Sequence, residues 1–187
     1  MHHHNKLTFI LGVIIILLIG WALAHSTRVS SKDAQKHISD FASAKDTLYE
    51  KDQNLPTQFP EQMPEDFEAR YTYNAPQHSG ETEIIINNKQ ATIRRNKKTW
   101  DLKLEPEHRE KIYSILMTRS FDTIETSPLD AQIDSTVLIH AEASYTQEDA
   151  QVAFEVLVDN TRQIKEGDAD RWLDIIQLFS GIASFYP

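Results

Sequence analysis

Phe67-Glu68-Ala69-Arg70-Tyr71-Thr72-Tyr73-Asn74, residues 67–74, alternates apolar and polar side chains. Successive side chains of an extended chain point to opposite faces, so a period of two describes a strand with one buried side. Residues 75–80, Ala-Pro-Gln-His-Ser-Gly, interrupt it. The β-branched run Ile84-Ile85-Ile86 then predicts a strand over 83–87, Asn88-Lys89 supplies a turn, and 91–95 returns, giving a hairpin. A second turn at Asn96-Lys97-Lys98 leads to Trp100, Leu102 and Leu104, which alternate with Asp101 and Lys103 as a further strand.

Toward the C terminus the period changes. Pro106 suits the first turn of a helix, where its missing N–H costs nothing, and Glu107 and Glu110 lie where the helix dipole favours negative charge. Ile112, Ile115, Leu116 and Arg119 trace one face, with Met117 beside them, predicting a helix over 106–119 whose exit docks through Phe121 and Ile124. After a loop through Ser127-Pro128, Val137, Ile139, Ala141, Ala143 and Tyr145 alternate. Residues 147–149 turn, and Val152, Phe154, Val156 and Val158 alternate on the return. Asp168 or Asp170 caps a last helix, with Trp172, Ile175, Ile176, Phe179 and Ile182 at helical spacing. The order ββββαββα predicts an α+β fold, an antiparallel sheet with helices on one face.

Toward the N terminus, Pro56, Pro60 and Pro64 recur every fourth residue, which disfavours a regular helix or sheet interior and predicts an extended connector. Phe59 and Met63 suggest that it lies against the domain. Before it, Ser30 or Ser31 can cap a helix over about 31–50, with Ile38, Phe41, Ala42, Leu48 and Tyr49 on one side. This is an amphipathic stalk helix, serving either to pack on the domain or to bind a partner. Earlier still, residues 7–24 carry no charge and, at 1.5 Å per residue, would span roughly 27 Å as a helix. Trp21 stands where an interfacial aromatic belongs.

Two readings compete for this segment. One is a single-pass signal-anchor; the other is a cleaved signal peptide ending at Ala22-Leu23-Ala24. The anchor is preferred, because the run from Val13 to Ile19 is more apolar than export requires. An N-in orientation follows from the short leader, although Arg28, Lys32 and Lys36 on the far side oppose it. The expected organisation is a transmembrane helix in 1–24, a stalk helix and Pro-rich linker in 25–64, and a globular unit in 65–187. The expected location is the cell membrane, with the C-terminal domain extracytoplasmic, on the periplasmic or outer face.

The chain has 187 residues, 40% of them hydrophobic and 25% charged, as in ordinary globular domains. Without cysteine there are no disulfides, thiolate metal sites or cysteine nucleophiles. The net charge of −9 is unevenly distributed: residues 89–119 hold nine Lys/Arg against four Asp/Glu, and 120–187 hold three against thirteen. An acidic whole argues against nucleic-acid binding.

No catalytic motif rises above background. His108 among Glu105, Glu107 and Glu110 reads as solvated helix charge. Asp122, Asp130 and Asp134 lack the spacing of a calcium loop, and Ser79-Gly80 has no nucleophile-elbow context. No metal or cofactor is expected. The sharpest exposed feature is the cluster Arg94, Arg95, Lys97 and Lys98 at a hairpin tip, suited to an anionic headgroup or an acidic protein surface, or simply to solubilising the turn. The leading expectation is a membrane-anchored, non-catalytic domain acting by protein–protein interaction, as an envelope-complex component or inhibitor-like module. The alternative is a small-ligand or lipid-headgroup site on the sheet face around Tyr71, Tyr73 and His140; the third is a hydrolase.

Overall fold

The computed structural model describes residues 31–44, 56–75, 80–129 and 137–186. The expected transmembrane segment at 7–24, the later part of the expected stalk helix, Asp130 and Asp134 lie outside these. Among the described residues no helix is long and apolar enough to cross a membrane.

The strand pattern is realised as a six-stranded antiparallel sheet. Its members are β1 (Glu68–Ala75), β2 (Gly80–Asn87), β3 (Ala91–Arg95), β4 (Lys98–Asp101), β6 (Leu138–Gln147) and β7 (Ala150–Val158), in the spatial order β4-β3-β2-β1-β6-β7. The N-terminal strand β1 is therefore central, with Tyr71 paired to Ile84 on one side and Ala141 on the other. A separate two-stranded ribbon joins β5 (Thr126–Pro128) to β8 (Arg162–Ile164). The sequence reading has a loop where β5 stands, and it shows no strand at β8. Three residues are too few to display a period, and this ribbon owes its existence to its pairing.

Helices α1 (residues 31–44), α2 (Pro106–Thr118) and α3 (Ala169–Ser184) complete the α+β fold. The buried side of the sheet carries Ala69, Tyr71, Ile84, Ile86, Ile93, Ala141, Ala143, Tyr145 and Val156, the alternate positions that the patterning requires. Helix α2 meets it through Tyr113, whose ring stands edge-on to Phe67 at 4.9 Å. Helix α3 meets it through Phe179, stacked on Tyr71 at 5.2 Å. Such aromatic pairs add about 0.5–1.5 kcal/mol beyond the area they bury.

Helix α1 belongs to the same body. Ala34 and Ile38 are fully buried in the common core, Gln35 Nε2 donates to the Lys103 carbonyl at 2.6 Å, and the His37 ring lies 3.3 Å from the Leu178 carbonyl. This approach requires Gly181, since a Cβ there would fall 2.1 Å from the His37 ring. The connector is likewise held down. Phe59 is buried among the rings of Tyr113, Tyr145 and Phe154, Tyr145 Oη donates to Gln58 O at 2.8 Å and Tyr113 Oη to Pro60 O at 2.5 Å. The described parts of 31–64 thus contribute Ala34, Ile38 and Phe59 to the same core as the sheet.

Two arginines join α2 to α3. Arg119 Nε and Asp174 Oδ2 form an ion pair at 3.0 Å, with both side chains almost fully buried. Arg171 donates to the Arg119 and Ser120 carbonyls at 3.0 and 2.9 Å and to Thr123 Oγ1 at 2.8 Å, and it also pairs with Asp168. The guanidinium thereby ties the start of α3 to the carbonyls that follow the C-terminal end of α2.

Candidate functional site

The central strands set two chemically different sheet faces. Antiparallel register places Thr72 opposite His140 and Tyr73 opposite Ile139. With a side-chain period of two, Tyr71 and Tyr73 look toward the helices while His140 looks away from them. The expected joint ligand face of Tyr71, Tyr73 and His140 is therefore corrected: β1 contributes its odd positions to the inner face, and β6 contributes His140 to the outer one.

The same parity divides the basic cluster. Ile93 is buried and Arg95, two residues on, shares its side. Arg95 Nε donates to Thr82 Oγ1 at 3.1 Å, and its terminal nitrogens donate to the carbonyls of Tyr186 and Ala183 at 2.7 and 3.1 Å. It serves the C-terminal end of α3, where the helix dipole favours a cation. Arg94 points outward and pairs with Glu83 at 3.2 Å. Lys97 and Lys98 remain exposed at the turn, whose central residues are Asn96 and Lys97, with φ of 47° and 70°.

The outer face is a charge lattice. Arg70 lies 3.1 Å from Glu68 and 3.6 Å from Glu83, so Glu83, only 16% exposed, sits between the guanidiniums of Arg70 and Arg94. His140 Nε2 lies 3.1 Å from Glu155 Oε1. By register, Glu68, Glu81, Glu83, Asp101, Glu142 and Glu155 all belong to this face, and among the described strand residues the guanidiniums there are those of Arg70 and Arg94. Ile85 and Leu157 lie half-buried among them. No described element covers this side, so the lattice faces solvent across the sheet.

On the inner side a cleft of about 370 Å³ opens between the sheet and α3, lined by Tyr73, Thr82, Arg95, Ile139, Ile176 and Ser180, with Tyr71 and Ala183 behind them. Burial raises the Tyr71 phenol well above the ordinary tyrosine range, and neighbouring Tyr73 adds to the effect. A more polar depression lies between the β2–β3 turn and the start of α2, with Lys89, Asp101, Lys103 and Arg109 on its walls. Arg109 is bound there by the carbonyls of Asn87, Asn88 and Leu104.

No family model, curated protein or solved structure matches the chain.

Among the described residues no group of three His, Asp or Glu stands close enough to hold a metal ion. Asp122 instead fastens the connector, accepting from Thr57 Oγ1 at 2.8 Å and from the Gln58 N–H at 2.7 Å. Sequence reasoning missed the outer carboxylates as a group, and it missed Thr82, Ile176 and Ser180 as cleft walls. Strand parity signals which side each residue takes. The order in which strands neighbour one another carries no local signal, and without it the residues of β2, β6 and β7 cannot be placed beside each other.

Proposed function

We propose that the chain is a membrane-tethered, non-catalytic α+β domain that acts by docking a basic segment of another protein on the outer face of its sheet. The observation that carries this reading is the imbalance on that face, where six carboxylates stand against two guanidiniums over a half-buried apolar floor at Ile85 and Leu157. Charge of one sign spread over a broad surface steers an oppositely charged partner and fixes its register, while apolar patches beneath it supply contact area. Arg70 and Arg94 hold Glu68 and Glu83 in place, so the lattice is ordered before a partner arrives, which lowers the entropic cost of association.

The tether is the uncharged stretch 7–24, read as a single-pass anchor with the domain on the extracytoplasmic side. That location suits an envelope-complex component, whose partner is presented close to the same bilayer. Lys97 and Lys98 remain as a second, smaller contact toward anionic groups.

A photo-crosslinking residue placed at Thr72, in the middle of the outer face, tests the reading in intact cells, with the same residue at exposed Glu110 on α2 as reference. The expected result is a discrete protein adduct from position 72 but not from 110, abolished by Glu142→Lys with Glu155→Lys. Equal labelling from both positions, or labelling unaffected by charge reversal, would sink it.

A further inference from the structure

The inner cleft differs from the outer face in every respect, and it carries a separate inference. Its walls are largely apolar or aromatic: Tyr73 and Ile139 from the sheet, Ile176 from α3. One end is polar, formed by Thr82, Ser180 and the guanidinium of Arg95. A half-buried cation ordinarily has an anion beside it, because taking charge out of water is costly unless it is paired. Arg95 has none among the described residues; all three of its hydrogen bonds go to neutral oxygens. A guanidinium carries five N–H donors, so two remain beyond those three bonds. The cavity thus coincides with a cation that has no anion beside it among the described residues, and the volume lies in the range of small-molecule sites.

We propose that this cleft binds a small amphiphilic carboxylic acid, its carboxylate on Arg95 and Thr82 and its apolar body between Tyr73, Ile139 and Ile176. The cleft of about 370 Å³ suits a small ligand, and a medium-chain acid of about ten carbons is the probe chosen to match its apolar walls. Carboxylate is favoured over a bulkier headgroup because a planar anion matches the guanidinium fork. An alcohol of the same length would fill the apolar part and leave the cation unpaired.

The test uses the full chain in lipid nanodiscs and a diazirine derivative of decanoic acid, with the corresponding decanol derivative as control. Labelled peptides are mapped by mass spectrometry, and labelling of peptides from residues 7–24 serves as internal standard for partitioning into lipid. The expected result is labelling of peptides containing Tyr73 and residues 169–184 that saturates, is competed by decanoate, and exceeds that by the alcohol at least tenfold after normalisation. Ser180→Trp, at an exposed position on the cleft wall, should reduce it at least tenfold by filling the space. Arg95→Gln should erase the preference for acid over alcohol. Equal labelling by acid and alcohol, cleft labelling that survives Ser180→Trp, or labelling confined to the standard peptides would overturn the proposal. Arg95 also caps α3, so if Arg95→Gln fails to fold, the Ser180→Trp and alcohol comparisons still decide. None of these outcomes depends on the outer face.

Discussion

Arg119 and Asp174 place a charge pair where little water reaches, with side chains 2% and 5% exposed. Removing one partner leaves the other charge buried, which typically costs about 3–5 kcal/mol, whereas exchanging both for apolar residues of similar volume is often near neutral. Asp174→Leu alone should therefore lower stability by about 3–5 kcal/mol, and Arg119→Met with Asp174→Leu should recover most of it. Urea unfolding of the four members of the cycle measures the coupling, and additive losses would show that the pair does not act as a unit. A smaller effect is expected at the turns. Lys97 and Asp149 hold left-handed φ values of 70° and 65°, a conformation that costs a residue with a Cβ about 1 kcal/mol relative to glycine. Lys97→Gly and Asp149→Gly should each raise the urea midpoint, by roughly 0.5–1 kcal/mol in stability. Alternation fixed by Ile93 already assigns Arg95 to the buried side. Reading Arg94 to Lys98 as one exposed cluster let charge composition override parity.

Among the elements, legibility follows length and periodicity. Helix α3 is announced by Trp172, Ile175, Phe179 and Ile182, all buried in the fold; β6 and β7 are announced by five and four alternating apolar residues. Leu102 and Leu104 also alternate, and both are buried, yet β4 ends at Asp101. Burial at alternate positions needs only extended backbone, and beyond Asp101 the pairing with β3 dwindles to one bond, from the Leu102 N–H to the Ala91 carbonyl at 2.8 Å. Helix α1 shows its apolar stripe plainly, but the stripe does not name its partner. That partner is the domain itself, through Ala34, Ile38 and the close approach at Gly181. Ile38→Ala should therefore behave as a core truncation and lower stability by about 2–5 kcal/mol. A change below about 0.5 kcal/mol in urea unfolding would mean that α1 is dispensable to the core.

For the whole molecule, fold class could be read from the sequence because the order of periods, strands then helix twice over, leaves few ways to cover an antiparallel sheet. The candidate sites could not, since they arise where β1, β2, β3, β6 and α3 converge across a hundred residues of chain. The fold also sets how stability responds to alkali. Burial raises the phenol of Tyr113 to about 12 and lifts those of Tyr71 and Tyr145. In the unfolded chain tyrosine ionises near pH 10. Below that value both states are protonated and the contribution is intact. As pH rises toward 12 the unfolded state sheds protons that the folded state retains, so stability must fall. The urea midpoint should hold steady approaching pH 10 and decline above it, with Tyr113→Phe softening the decline. A midpoint flat to pH 12 would contradict the burial of these phenols.

The way α1 lies on α3 has a mechanical consequence. Ser31 Oγ meets Tyr186 Oη at 3.2 Å and His37 meets Leu178, so the two helices run in opposite directions with the start of α1 at the end of α3. Tension arriving through the residues before Ser31 enters the fold at that junction. Drawn away from the domain, α1 would unzip one contact at a time, Ser31 from Tyr186 first, then Gln35 from the Lys103 carbonyl and His37 from Leu178, before the load reaches the sheet ladder itself. In an optical trap the first rupture should be a low-force extension step sized to α1, ahead of the unfolding of the sheet, making this helix the mechanical fuse between a tether and the domain.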